Sequence, residues 1–152
     1  MGESLPRTRL GSLLDLDALV PLFDAYRRFY EQAPDPVGAR AYLGERMARG
    51  ECVVYVALGA REEIVGFTLL YPTFTSVAMR RFFVLNDLFV APGSRGTGAG
   101  VALLEAAKSH ARAAGALRLS LRTAHDNARA QGVYERNGWV KNEKFWSYDF
   151  SL

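Results

Sequence analysis

The chain lacks the features that mark several large classes of protein. It has a single cysteine, Cys52, so no disulfide can form within one chain and a cysteine-rich metal site is excluded. No hydrophobic run approaches the ~18 residues that a membrane span requires. The first ten residues, MGESLPRTRL, contain no apolar segment of the kind that a secretory signal needs. These absences predict a cytoplasmic protein with no membrane partner and no bound metal.

Concentrated basic charge is also missing. The chain has 19 basic and 16 acidic residues, which gives a net charge of +3, and only three of the basic residues are Lys. The basic residues are scattered, and none of them form a block of five or more. Without a basic stripe or a recognised motif, the sequence predicts no nucleic-acid partner.

The first half of the chain begins with helical patterns. Its 152 residues, 49% of them hydrophobic, predict one globular domain over residues 1–152. A short strand is expected at Leu5–Leu10. Apolar residues at helical spacing follow Ser12, and Ser12 with Asp15 has the pattern of a capping box, which predicts that a first helix begins there. A second helix is expected at Val37–Arg49.

The hydrophobic period then changes from helical to strand-like. Three apolar runs predict an antiparallel meander: Cys52–Leu58, Ile64–Tyr71 and Phe82–Val90, with a loop at Thr73–Arg81 between the last two. The later elements alternate: a helix at Gly100–Ala114, a strand at Leu117–Leu121, a helix opened by Asp126 or Asn127, and two strands near Trp139–Val140 and Phe145–Ser151. This order predicts an α/β fold, with a mixed, mostly antiparallel sheet flanked by helices.

A glycine-rich turn follows the third strand of the meander. Residues 88–100 read LFVAPGSRGTGAG, so a strand leads into alternating glycines that open a helix. Glycine lacks a Cβ, so backbone N–H groups can converge on one point, and the helix N-terminus adds partial positive charge. Such a turn suits a phosphate or pyrophosphate, to which Arg95 adds a cation. It fails the Walker pattern, which needs Lys, and the dinucleotide fingerprint, because Val101 and Leu103 stand where Gly or Ala is required.

Two motifs together resemble one family. The spacing Arg95-x-x-Gly98-x-Gly100 resembles the acetyl-CoA pyrophosphate loop of the GNAT N-acetyltransferase superfamily. A later segment resembles the family's second motif, in which an Asn opens a helix and a Tyr lies seven residues on, before Gly and an aromatic residue. Here those positions are Asn127, Tyr134, Gly138 and Trp139. The resemblance extends from about Phe82 to Trp139.

The resemblance implies a GNAT-like fold, acetyl-CoA as cosubstrate, and direct attack of an amine on the thioester in a ternary complex. It implies that Tyr134 protonates the leaving thiolate, since a phenol of pKa ~10 can supply that proton. It also implies a backbone N–H on the strand before the loop as oxyanion donor. The cofactor-binding residues that it implies are Leu88, Phe89, Val90, Arg95, Gly96, Thr97, Gly98, Ala99, Gly100 and Asn127.

The general base is left open among three residues. A primary amine of pKa ~10.4 must lose a proton before it attacks, which costs roughly 4–5 kcal/mol at neutral pH. Glu31, Asp87 and His125 are the candidates, acting directly or through water. In some polyamine-acetylating relatives a Glu precedes the Asp on this strand, whereas this chain has Asn86 there. The polyamine assignment is therefore not carried over.

The acceptor and the partners remain open at this point. The acceptor is expected to be a small amine or a peptide or protein lysine, because Leu85–Val90 also resembles a subgroup with histone-acetylating members. A non-catalytic acyl-CoA-binding regulatory module is the alternative function. Relatives are often dimers, so a homodimer is expected, and the alternating Trp146, Tyr148 and Phe150 belong either to the core or to a partner contact. Cys52 is expected to be a buried small hydrophobe and His110 a surface residue.

Overall fold

The computed structural model describes residues 4–152, so the first three residues of the segment in which no secretory signal is expected lie outside it. The chain divides into two compact units, one ending at Arg122 and one comprising Thr123–Leu152.

The first unit is built on a five-stranded sheet whose strands lie in sequence order. The first four strands pair antiparallel and the fifth lies parallel to the fourth. The strands are β1 (Thr8–Leu10), β2 (Val53–Leu58), β3 (Ile64–Thr75), β4 (Arg80–Val90) and β5 (Leu119–Ser120). The prediction of a mixed, mostly antiparallel sheet flanked by helices is confirmed, while the extent of the domain over residues 1–152 stays a prediction.

Three helices of this unit cover both faces of the sheet, which explains why most residues in the middle of its central strands are apolar. They are α1 (Leu16–Phe29), α2 (Pro36–Ala48) and α3 (Ala99–Ala113). Helices α1 and α2 share a core with Val56 of β2 and Phe67 of β3. Helix α3 packs on the other face, where Leu103 meets Ala57. The resulting three layers place the end of β4 between α1 and α3.

The predicted start of the first helix is confirmed. Ser12 and Asp15 form a capping box, in which the Ser12 amide donates to the Asp15 carboxylate at 2.8 Å. The chain enters α1 through a short 3₁₀ turn at Leu13–Asp15. Helix α2 begins at Pro36, whose fixed φ suits the first helical position, and the Asp35 side chain accepts from the Gly38 amide at 2.8 Å.

The loop expected at Thr73–Arg81 is wrong. Strands β3 and β4 continue as a two-stranded ribbon, and only residues 76–79 turn. The Arg81 guanidinium lies 5.3 Å from the centre of the Phe74 ring on the opposite strand, and such cross-strand pairs stabilise a ribbon whose polar residues gave no strand signal. The first strand is also shorter than expected, because only Thr8–Leu10 pairs with β2.

The second unit contains one helix, α4 (Ala128–Arg136). Of the two residues expected to open it, Asn127 is the cap, because its side-chain oxygen accepts from the Ala130 amide at 3.2 Å. The strands expected near Trp139–Val140 and Phe145–Ser151 are wrong, since residues 123–152 contain no strand. A strand needs a neighbouring strand to satisfy its backbone, and this unit offers none.

The alternating aromatic residues of the C-terminal segment are not part of the core. The exposed fractions of Trp146, Tyr148 and Phe150 are 89%, 91% and 88%. Of the two possibilities for this stripe, the core is therefore excluded.

Candidate active site

A β-bulge shapes the second half of β4. Leu69 of β3 pairs with Asp87, whereas the next residue, Leu70, pairs with Leu85, so Asn86 is the extra residue on β4. A bulge of this kind leaves one residue unpaired and increases the local twist of the strand. The strand therefore changes direction immediately before Asp87. This residue is one of the three candidates for the general base.

Beyond the bulge, one side of β4 has no paired strand. The parallel ladder to β5 consists of Phe83 with Leu119 and Val84 with Ser120, and no other strand of the described residues continues it. The segment Leu88–Val90 remains paired with β3 on its other side. An open strand edge presents backbone donors and acceptors to a ligand, as the resemblance implies for Leu88, Phe89 and Val90.

The glycine-rich turn connects this strand to α3. A 3₁₀ turn at Pro92–Ser94 follows β4, and Gly96 and Gly98 have positive φ values of 79° and 84°. Gly98 is the N-cap of α3 and has no side chain with which to cap it. The first N–H groups of the helix, which have no partner within the helix, therefore keep a free side for an anion.

The backbone of the turn is open at two of its glycines. A Cβ added to Gly93 or Gly96 would meet no heavy atom within 4 Å, so these backbones are open. A Cβ on Gly98 would lie 3.0 Å from Leu5 Cδ2 and would need a strained backbone conformation. The turn therefore has an open backbone, and its φ of 84° at position 98 requires glycine there.

Arg95 and Thr97 brace the turn. The Arg95 Nε donates to the Val90 carbonyl oxygen at 3.3 Å, and its guanidinium lies 5.7 Å from the centre of the Phe89 ring. The Thr97 hydroxyl donates to the Ser94 carbonyl oxygen at 2.6 Å. The structure therefore brings together, at one end of the sheet, the residues predicted at positions 88–90 and 95–100.

Asp87 is a buried carboxylate. Its exposed fraction is 6%, and its side chain points to the face of the sheet that α1 covers. The Asn86 Nδ2 donates to Asp87 Oδ1 at 3.2 Å. Burial raises the pKa of Asp87, and the neighbouring Tyr26 and Asn86 side chains oppose that rise. A carboxyl with a raised pKa in this position suits proton transfer.

Sequence reasoning missed the tyrosines that surround Asp87. The Tyr26 ring meets the rings of Phe67 and Phe89, each at a centroid distance of 6.0 Å, and burial together with the charge of Asp87 raises the pKa of Tyr26. On β3, the Tyr71 hydroxyl lies 2.5 Å from that of Tyr42, and burial raises the pKa of Tyr71. The available signal was the position of Tyr26, three residues after Phe23 on the apolar stripe of α1.

Glu31 lies apart from this buried group. It follows Tyr30 at the end of α1, has a φ of 61°, and its side chain is exposed. No hydrogen bond or ion pair joins its carboxylate to Asp87 or Tyr26 in the part of the chain that the structure describes. The structure thus brings Asp87, rather than Glu31, into contact with other polar side chains of the sheet.

The second predicted motif lies on α4 of the C-terminal unit. Asn127 caps the helix and Tyr134 follows seven residues later, about two helical turns on. The Tyr134 ring lies 6.0 Å from that of Trp139, centre to centre. His125, the third candidate base, is exposed before the cap, and its carbonyl oxygen accepts from Gln131 Nε2 at 3.1 Å.

Two residues outside the site have clear outcomes. Cys52 is buried as expected, and burial raises the pKa of its thiol to about 11. His110 is not a surface residue: its Nδ1 lies 3.1 Å from the Tyr55 hydroxyl and its ring packs on Phe83. Its half-buried position follows from the face of α3 that meets the sheet, and burial lowers its pKa.

In residues 4–152 no helix has the length and hydropathy to cross a membrane. The same residues contain no group of three His, Cys, Asp or Glu side chains placed to hold a metal ion.

Comparison with known proteins identifies the family. The model of the Acetyltransferase (GNAT) family matches residues 19–139. A Bacillus subtilis protein named as the uncharacterized N-acetyltransferase YhfO is 48% identical over 134 residues, which are 88% of this chain and 89% of that protein. A probable acetyltransferase of Haemophilus influenzae is 30% identical over 138 residues, 91% of this chain and 92% of the relative.

A solved structure agrees with the sequence comparisons. The crystal structure of a probable acetyltransferase superposes with a TM-score of 0.92 at 38% identity, over 96% of this chain and 97% of that chain. The open edge of β4 and the glycine cradle at the start of α3 are the features that the family resemblance required. The chain therefore belongs to the GNAT acetyltransferase family.

Proposed function

We propose that this protein is an acetyl-CoA-dependent N-acetyltransferase that transfers the acetyl group to a primary amine by direct attack in a ternary complex. The observation that supports this most strongly is the junction of β4 and α3. There an open strand edge leads into a glycine turn whose helix N-terminus has no side-chain cap. The glycine turn suits the anionic pyrophosphate of a long cosubstrate, and the open strand edge suits its extended arm.

The glycine turn is assigned to the pyrophosphate of acetyl-CoA. Backbone N–H groups of residues 96–100 would donate to its oxygens, and the partial positive charge of the α3 N-terminus would stabilise its negative charge. Arg95 would add a cation beside the turn, where its contacts with Val90 and Phe89 already hold it. The hydrogen bond from the Thr97 hydroxyl to the Ser94 carbonyl oxygen would hold the turn in the conformation that binds the pyrophosphate.

The open edge of β4 is assigned to the pantetheine arm and the thioester. An extended arm can pair with the backbone of Leu88–Val90 much as an added strand does. A backbone N–H of the same segment would stabilise the oxyanion that forms when the amine attacks the carbonyl. Asn127, at the start of α4, is assigned to cofactor contact in addition to its capping role.

Two side chains are assigned to proton transfer. Tyr134 would donate its phenolic proton to the departing thiolate. Asp87 is the base that the structure favours among the three candidates, since its burial and raised pKa suit removal of a proton from an amine. Glu31 is exposed at the end of α1, and it is assigned to binding of the acceptor amine and not to contact with Asp87. The acceptor is a small amine or a peptide or protein lysine.

The protein is also proposed to act in the cytoplasm as a homodimer, without nucleic acid, membrane or metal. The exposed aromatic residues Trp146, Tyr148 and Phe150 support self-association, because exposed apolar side chains in such number gain from being covered. Sedimentation of the purified chain at several concentrations would test this part of the proposal.

The central experiment has two arms. Calorimetry with acetyl-CoA and, as a control, with NAD tests the site assignment, and we expect binding of acetyl-CoA only. CoA release is then measured across amino acids, polyamines, aminoglycosides and lysine peptides, with turnover expected for at least one class. Binding without turnover on any amine would favour the non-catalytic module, and an absence of acetyl-CoA binding would overturn both functions.

A further inference from the structure

We propose that the end of the ribbon formed by β3 and β4 docks an acidic segment of a partner protein. The docking surface, which we call the ribbon face, consists of Arg80 and Phe82 of β4, Thr73 and Thr75 of β3, and Arg118 immediately before β5. None of these residues has a role in the proposed acetyl transfer, and the docking surface does not depend on that function.

Positive charge is concentrated at this end of the sheet. Residues 71–85 and 106–122 contain six Arg or Lys residues and no Asp or Glu, whereas acidic residues outnumber basic ones in the rest of the chain. The fold brings the two segments together, because the Phe83 amide donates to the Arg118 carbonyl oxygen at 3.1 Å. Basic residues that are scattered along the sequence therefore form one charged region in the folded unit.

The strand register places the members of the ribbon face side by side. Thr73 lies opposite Phe82 and Thr75 lies opposite Arg80, and partners across an antiparallel pair share a face of the sheet. The parallel ladder between β4 and β5 places Arg118 beside Phe82. All five side chains are exposed or half-buried, so this stretch of the sheet is open to a partner.

Arg118 is held in position in advance of any partner. Its guanidinium lies 4.1 Å from the centre of the Phe82 ring, and its Nε donates to Ser120 Oγ at 3.2 Å. Within residues 4–152 no hydrogen bond uses its two terminal nitrogens. A planar guanidinium can donate to both oxygens of a carboxylate at once, and one that is already positioned loses less entropy on binding.

The arginines of the ribbon face have no acidic partner. Arg80 donates to the Gly115 carbonyl oxygen at 3.0 Å, and neither Arg80 nor Arg118 forms an ion pair with a carboxylate of the described residues. Six arginines elsewhere in the same unit do pair with Asp or Glu: Arg7, Arg9, Arg27, Arg40, Arg46 and Arg49. Charge complementarity therefore favours a partner that supplies carboxylates.

Apolar side chains next to the arginines indicate that the partner segment also contains apolar residues. The turn that joins β3 to β4 exposes Val77 and Met79, at 98% and 89%, and Phe74 on β3 is 68% exposed. Apolar groups that are exposed together and bordered by polar residues are typical of protein-binding surfaces. The tip of the ribbon can therefore contact apolar side chains while the two arginines bind carboxylates.

The spacing of the two arginines indicates how the carboxylates of the partner are arranged. Arg118 lies beside Phe82 on the neighbouring strand, and Arg80 precedes Phe82 by two residues. Strands lie about 4.8 Å apart and rise about 3.3 Å per residue, so the two arginine Cα atoms are separated by roughly 8 Å. Alternate residues of an extended peptide are about 6.6 Å apart on one face, within reach of both arginine side chains. We therefore expect Asp or Glu at alternate positions.

The same features disfavour a nucleic acid as the occupant. Bases stack on free aromatic faces, but the guanidinium groups of Arg118 and Arg81 lie over the rings of Phe82 and Phe74. A nucleic-acid backbone is tracked by a stripe of cations, whereas the ribbon face has only two arginines. A short acidic peptide segment matches this small number of cations.

Fluorescence anisotropy of a labelled peptide, measured with the purified full chain, tests the proposal. The probe is a short peptide in which Glu alternates with Val, and the control peptide has Gln in place of Glu. We expect the Glu peptide to bind and the Gln peptide not to bind. The affinity for the Glu peptide should fall as the salt concentration rises, because salt screens exposed charges.

Variants of the two arginines assign the binding to the ribbon face. The double variant with Arg80→Gln and Arg118→Gln should lower the affinity for the Glu peptide at least ~10-fold, since the carboxylates lose their charged donors. Arg118→Lys keeps the charge but has neither the planar fork nor the stacking on Phe82. It should lower the affinity roughly three- to tenfold, which separates geometry from charge alone.

The matched control is a double variant with Arg7→Gln and Arg49→Gln. It removes the same amount of charge, but each of these arginines already forms an ion pair with a Glu. Its affinity for the Glu peptide should therefore remain within about twofold of the wild-type value. Thermal unfolding of every variant shows whether the chain is folded and separates lost binding from misfolding.

Three results would overturn the proposal. The first is no binding of the Glu peptide at low salt, or equal affinity in wild type and in the double variant of the ribbon face. The second is preferred binding of a single-stranded oligonucleotide that the same double variant loses, which would assign the face to nucleic acid. The third is loss of self-association in that variant, measured by sedimentation, without peptide binding by wild type, which would assign the face to contact between copies. An absence of turnover on the amine panel would overturn the acetyltransferase function alone.

Discussion

The Thr68 hydroxyl donates a hydrogen bond to the backbone carbonyl oxygen of Asp87 at 2.8 Å, and both residues are buried. The bond joins β3 to β4 directly after the bulge at Asn86, where the regular ladder is interrupted. The Thr68 side chain thus supplies a hydrogen-bond donor to the Asp87 backbone at the point where β4 changes direction. This hydrogen bond fixes the position of Asp87, the residue proposed as the base.

Thr68→Val should lower the free energy of unfolding by about 1–3 kcal/mol, because it leaves the Asp87 carbonyl oxygen buried without its donor while the side-chain volume is kept. Urea denaturation measures this. Thr68→Ser, which retains the hydroxyl, is the control and should lose less. Equal stability of the Val variant and wild type would show that the bond contributes nothing at the bulge.

Gly98→Ala should weaken acetyl-CoA binding. With a φ of 84° at this N-cap, an Ala costs about 1–2 kcal/mol, and its Cβ would press on Leu5. The affinity for acetyl-CoA should fall roughly tenfold, as measured by calorimetry, if the strain is relieved by moving the turn. Gly93→Ala is the control, since its Cβ meets nothing within 4 Å, and it should bind as wild type does.

Asp87→Asn should change how stability depends on pH. Because burial raises the pKa of Asp87, the carboxyl favours folding at acidic pH and loses that contribution as the pH rises from its unfolded pKa of ~3.9 through the raised folded value. Asn does not ionise, so the stability of the variant relative to wild type should rise as the pH increases from about 4 toward neutrality. Urea unfolding across this range measures it, and a difference independent of pH would contradict the raised pKa.

Tyr134→Phe should lower kcat by roughly 100-fold while the affinity for acetyl-CoA stays near the wild-type value, because only the proton for the leaving thiolate is removed. CoA release and calorimetry measure the two quantities. Tyr148→Phe, at a fully exposed position of the same unit, is the control. Equal turnover in Tyr134→Phe and wild type would remove this residue from the mechanism.

Local signals in the sequence were sufficient for most elements. The capping box at Ser12, the apolar runs of β2 and β3, and the alternating glycines before α3 each reflect a preference that a few neighbouring residues already express. The glycine turn from Arg95 to Gly100 could therefore be located from the sequence. The strands predicted in the last residues are wrong because alternation shows only which side chains share a face. A strand also needs a neighbouring strand, which an alternating pattern does not supply.

The composition and spacing of the chain by themselves determined its layered α/β class and the glycine turn, because these depend on short-range backbone geometry. They left the cap of α4 open between Asp126 and Asn127, and the structure identifies Asn127. Only the tertiary structure decided which carboxylate is buried and what surrounds it. The bulge at Asn86 depends on how β4 pairs with β3, and the contact of the Tyr26 ring with the Phe89 ring joins residues more than sixty positions apart. Such groupings arise when α1 packs on the sheet, and no local pattern encodes them.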